Sequence, residues 1–147
     1  PSSGSECRSL REWYLPHHPV LNPNKPGKMR RVLNGAAKFH GKSLNSCLLT
    51  GSDLLQNLFN ILLLFGQHTY AVSADIEGMF LQVGVLPVDQ PSLRFVWREE
   101  PTKNVEILQY TPHIFGAKDS PTCANFALQE TALDNQAKFS GAAQAVY

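Results

Sequence analysis

Apolar and polar positions change period several times along this chain. WYLPHHPVLNPNKPGKMRRVLN breaks its apolar residues with Pro, Gly and Lys, which predicts two extended runs, 19–21 and 29–33, joined by the turn formers of 22–27 in a basic hairpin. TGSDLLQNLFNILLLFG then shifts to a helical period. Thr50 or Ser52 can cap it, Asp53 suits its first turn, positions 54, 55, 58, 61, 62 and 65 are apolar, and Gly66 stops it. That stripe is expected to be core. Residues 70–75 look like a buried strand ending on Asp75, followed by a short helix or turn around 77–80. LRFVW (93–97) and VEILQYT (105–111) alternate and flank REEPTKN, predicting a second hairpin. In the last segment Ser120 is read as a helix cap, with Pro121 in the first helical position and the helix running to about Ala137. The order of hairpin, helix, strand, helix, hairpin, helix predicts an α+β fold rather than a doubly wound sheet.

With 147 residues and 43% apolar content, the chain is the size of one domain and can build a core. Cys7, Cys47 and Cys123 are odd in number and form no C-x-x-C pair, which points away from a disulfide framework and a zinc knuckle and suits a reducing intracellular compartment. The apolar run 61–65 falls far short of the roughly 20 residues that span a bilayer, and no signal-peptide pattern opens the sequence, so no membrane partner is expected. The formal net charge of +1 conceals a division. Residues 1–45 carry eight Lys/Arg and two acids, net +6, whereas 46–147 carry five and ten, net −5. An element facing a polyanion and a solvated basic arm both fit that asymmetry.

A carboxylate at the carboxyl end of an apolar strand sits at a sheet rim, where a hard cation or a substrate can approach; a helix cap or a turn would use Asp75 equally well. The neighbourhood discriminates. WYLPHHPV, KMRRVLNGAAKFHGKSLN, VSADIEGMFLQV, LRFVW and IFGAKDSPTCANFAL together resemble the reverse transcriptase of LTR retrotransposons, most closely the Pao/BEL group. The resemblance runs from Trp13 to about Ala145 and implies a partial right-hand polymerase with an incomplete antiparallel sheet. Residues 1–12 would be an arm, 13–69 fingers-like, and 70–147 palm- and fingers-like, ending before the aromatic-x-Asp-Asp hairpin.

By that resemblance Asp75 is the first catalytic aspartate and, with the backbone carbonyl of Ile76, a ligand to Mg²⁺. Lys25 and Arg30 would close on the triphosphate of a dNTP. Phe80 would exclude a 2′-hydroxyl, and Phe115 and Gly116 would border the nascent pair. Lys28, Arg31, Lys118, Ser120 and Pro121 would meet an RNA or DNA template–primer. Location in the cytoplasm or a virus-like particle, beside other regions of a retroelement polyprotein, is implied as well.

Several positions depart from the family. Asn34 and Gly35 replace an Asp followed by a small residue, Leu64 and Gly66 stand where Arg is common, and the 147 residues contain no Asp-Asp pair. Two of three metal-binding carboxylates are therefore missing. Glu77 follows Asp75 too closely to replace them, and Asp119 lies in the template-side turn. The 147 residues alone are expected to be inactive, with uncovered apolar surface. The rival reading is a catalytically dead remnant that binds nucleic acid weakly and without sequence preference through residues 8–42. A P-loop at Gly41-Lys42-Ser43 fails because Ala36 stands where its first glycine belongs and Leu44-Asn45 open no clear helix. A metal site of Cys7 with His17-His18 has the wrong spacing, and the histidines are expected to pack on Trp13 or face solvent.

Overall fold

The computed structural model describes residues 12–21, 23, 27, 29–67 and 69–141. Among these residues the fold is α+β, with two antiparallel hairpins and three α-helices. Strand β1 (His17–Leu21) pairs with β2 (Met29–Leu33) in a register that sets His17 opposite Leu33 and Leu21 opposite Met29. Both predicted runs are present, and β1 begins two residues earlier. Strands β3 (Arg94–Trp97) and β4 (Glu106–Gln109) form the second hairpin, with Phe95 opposite Leu108. Among the described residues these hairpins are two separate two-stranded sheets, so the basic hairpin is present and the second sheet holds only β3 and β4.

Residues 12–15 join the hairpins. Tyr14 bridges Arg94 in parallel fashion, the Leu15 amide donates to the Arg94 carbonyl at 2.8 Å, and Glu12 pairs with the Arg94 guanidinium at 3.0 Å. Hydrogen bonding to Tyr14, then Glu12, raises the Arg94 pKa above its already basic value. The core lies at this junction. Leu15, Leu33, Leu44, Leu93, Phe95, Ile114 and Ala117 are buried, and Trp13, Trp97 and Leu108 pack around them. His17 meets Phe95 edge-on at 5.3 Å and Trp97 at 5.7 Å, so it packs on the second hairpin rather than on Trp13 or in solvent.

Gly41-Lys42-Ser43 has a purely local role. His40 and Gly41 both take positive φ in a tight turn closed by two hydrogen bonds between Phe39 and Lys42, and Ser43 caps a one-turn helix, α1 (Leu44–Cys47). The expectation of no helix at Leu44 fails because Ser43 and Ser46 form a reciprocal capping box.

Three larger expectations also fail. The second helix covers only Leu58–Phe65 (α2), capped by the Asn57 side chain and ended at Gly66. Thr50 and Ser52 do not cap it, because the helix starts only at Leu58; the carbonyls of both accept the Thr122 hydroxyl at 2.6 and 3.3 Å, and Asp53 accepts from the Leu55 amide in a local turn. Nor is its stripe core, since every residue of α2 is exposed. Residues 70–75 form no strand: Tyr70 and Val72 are each 87% exposed, and neither hairpin lends this segment an edge to pair with. Finally, Asp119 rather than Ser120 stands at the cap position of α3 (Ser120–Asp134), which ends three residues before Ala137. Ser120 is the first helical residue, fully buried, and its hydroxyl donates to the Ile114 carbonyl at 2.8 Å. No described helix is long and apolar enough to cross a membrane.

Candidate functional site

Three segments far apart in sequence converge on one cleft of about 290 Å³. Strand β2 contributes Met29, Arg30, Arg31 and Leu33; the turn after Asp75 contributes Glu77, Gly78 and Leu81; and the segment before α3 contributes Tyr110, Ile114 and Phe115. Buried Leu33 and Ile114 form its floor, so the cleft is fixed to the core on that side. Gly78 adopts φ +60° at the entry of a 3₁₀ turn, Met79–Gln82, a conformation that suits glycine and turns Phe80 and Leu81 back toward the cleft wall. There Phe80 packs against Phe115 with ring centroids 5.0 Å apart.

Arg30 lines the cleft from the exposed face of β2. Arg31 also lines it, but its guanidinium lies over the Trp97 ring at 4.5 Å and the Phe95 ring at 5.2 Å. That stacking locks Arg31 to the second hairpin, so its charge reaches a ligand from a fixed position. Glu77 adds a negative group to the rim, leaving the cleft amphoteric rather than uniformly basic.

The other residues predicted for function fall elsewhere. Asp75 and Ile76 are exposed just before the cleft-lining turn. Gly116 has φ +106°, and a Cβ there would lie 2.1 Å from the Leu33 carbonyl oxygen, so the protein's own backbone already demands glycine. Lys118 is exposed, and its amide donates to Asn45 Oδ1 at 3.0 Å. Ser120 is committed to the Ile114 carbonyl, and Pro121 is exposed in the first turn of α3. Lys25 and Lys28 lie outside the described residues.

Mg²⁺ in the two-metal arrangement needs several carboxylate oxygens converging on each ion. Among the described residues Asp75 belongs to no group of three His, Cys, Asp or Glu side chains close enough to share an ion. The residues present do not fit that site.

Such a group exists elsewhere. His113, Asp119 and Cys123 bring one ligand atom each within 4.8 Å of one another. Sequence reading passed over it because it looked for C-x-x-C pairs. The available signal was Asp119 and Cys123 four apart across the predicted start of the last helix, with His113 six residues upstream of Asp119. Burial, and secondarily the Asp119 charge, pushes the Cys123 thiol pKa up.

No family model, curated protein or solved structure matches the chain.

Proposed function

We propose that these residues are the fingers and front palm of an RNA-directed DNA polymerase, and that the cleft between β2 and the turn after Asp75 receives the triphosphate of a dNTP. One observation carries the reading. The segments that the sequence resemblance assigns to nucleotide binding, around Arg30, Phe80 and Phe115, line or flank a single cleft although up to 85 residues separate them. In this role Arg30 engages phosphate oxygens bidentately, and the stacked Arg31 holds a second positive charge in place. Phe80, backed by Phe115, presents a rigid aromatic edge to the sugar. Asp75 stands beside the cleft as one carboxylate of a set whose other members are not among these residues, so the 147 residues bind nucleotide without elongating a primer.

Titration with dATP, followed by amide chemical shifts, tests the binding. Perturbations are expected at 29–33, 77–81 and 114–116, with about tenfold weaker binding in Arg30→Ala, the scale of one lost charge-assisted hydrogen bond. Shifts absent from these segments would overturn the assignment. In primer extension, elongation that Asp75→Ala abolishes would refute the prediction of inactivity.

A further inference from the structure

We infer that His113, Asp119 and Cys123 form a binding site for a zinc-class transition-metal ion, with three protein ligands and a fourth position open to solvent. It stands independently of the polymerase reading. The three ligand-bearing positions sit on fixed backbone. The His113 amide donates to the Val83 carbonyl at 2.8 Å beside the Gly84–Pro112 bridge. Asp119 occupies the cap position of α3, and Cys123 follows one turn later, its amide donating to the Asp119 carbonyl at 3.0 Å. The Ser120 hydroxyl, bound to the Ile114 carbonyl, pins the helix start to the segment that carries His113.

Asp119 supplies the second observation. A carboxylate at a helix cap ordinarily accepts from the first-turn amides, but the Asp119 side chain makes no capping bond. Its Oδ1 is buried and has no hydrogen-bond partner. A buried carboxylate oxygen without a donor is unfavourable, and a bound cation satisfies it. A cation also relieves the repulsion between Asp119 and a Cys123 thiolate. Imidazole, carboxylate and thiolate together suit Zn²⁺ or Co²⁺; Mg²⁺ takes oxygen ligands. Zinc–ligand distances of 2.0–2.3 Å place tetrahedral ligands roughly 3.5 Å apart, and the present separations of no more than 4.8 Å are within a small side-chain adjustment of that. His113 and Asp119 also line a cleft of about 310 Å³ beside Val85 and Leu93, which gives an exchangeable ligand a route to the ion.

Binding releases the thiol proton, so affinity rises with pH. Titrating the chain with Co²⁺ alone should give one site and a thiolate-to-metal charge-transfer absorption. Cys123→Ser should abolish that band, whereas Cys7→Ser and Cys47→Ser keep it. His113→Ala and Asp119→Asn should each weaken binding by more than tenfold. Zn²⁺, but not Mg²⁺, should protect Cys123 of the unmodified chain from alkylation, read by peptide mass mapping, which needs no variant to fold. Absence of the band, its persistence in Cys123→Ser, or unprotected Cys123 under Zn²⁺ would each overturn the site.

Discussion

Gly116 shows how closely the loops beneath the cleft are fitted. A Cβ on it would strike the Leu33 carbonyl, and one on Gly35 would come within 2.6 Å of the Gly116 carbonyl. Asn45 clasps the pair: its side-chain amide donates to the Gly116 carbonyl at 3.0 Å, its Oδ1 accepts from the Lys118 amide, and its own amide donates to the Gly35 carbonyl. Gly35, one of the positions that departs from the family pattern, is therefore set by backbone packing. Gly116→Ala should destabilise the fold by roughly 3 kcal/mol, combining a strained φ with a backbone clash, measured as a lower urea midpoint. An unchanged midpoint would mean the loop relaxes freely. Cys123 gives a second residue-scale prediction. Its thiol pKa is raised by burial and then by Asp119, so the fold favours the protonated form. That contribution is complete below the ordinary thiol pKa and is lost as pH rises through the raised value. In chelator-treated buffer, Cys123 alkylation should become appreciable at higher pH in the folded chain than in the unfolded one, and Asp119→Asn should close part of the gap.

At the scale of elements, pairing partners decided which sequence patterns became structure. Both hairpins were legible because each carries its own partner strand and turn, and α3 was legible because Pro121 and its apolar positions suit a helix resting on Ile114. Residues 70–75 have the composition of a buried strand, but a strand needs an edge to pair with, and among the described residues it gains none. The same holds for α2, whose apolar face meets no layer. Leu58 and Leu62 remain 68% and 60% exposed, and an apolar surface of this kind favours association. Leu62→Lys should leave unfolding free energy within about 0.5 kcal/mol of the parent, because the side chain packs against nothing buried. Concentration-dependent association in light scattering should fall. A large stability loss would show instead that α2 is packed in solution. The cleft was legible in part: sequence named Arg30, Arg31 and Phe115, which line it, and Phe80, which packs on Phe115 behind it, while the contributions of Tyr110 and Leu81 depended on how the second hairpin and the 3₁₀ turn folded against β2.

Charge acts at the scale of the whole molecule. Among the described cations of residues 1–45, Lys38 and Lys42 are exposed, and Arg31 stacks on aromatic rings. Among the described residues, Glu12 pairs with Arg94 and ties the first segment to the second hairpin, whereas Glu99 pairs locally with Lys103. On the rival reading of a nucleic-acid-binding remnant, exposed cations of this kind would attract polyanions through counterion release, which is independent of sequence and falls steeply with salt. Single-stranded RNA and DNA of equal length should therefore bind with similar affinity, and log K should decline linearly with log salt at about −0.7 per phosphate engaged. If Lys38 and Lys42 each engage one phosphate, the Lys38→Ala/Lys42→Ala double variant should make that slope shallower by about 1.4. Fluorescence anisotropy across a salt series measures this without requiring catalysis. A salt-independent affinity would mean that stacking rather than charge holds the strand, and the half-buried Trp97, capped by Arg31, would then be the residue to substitute next.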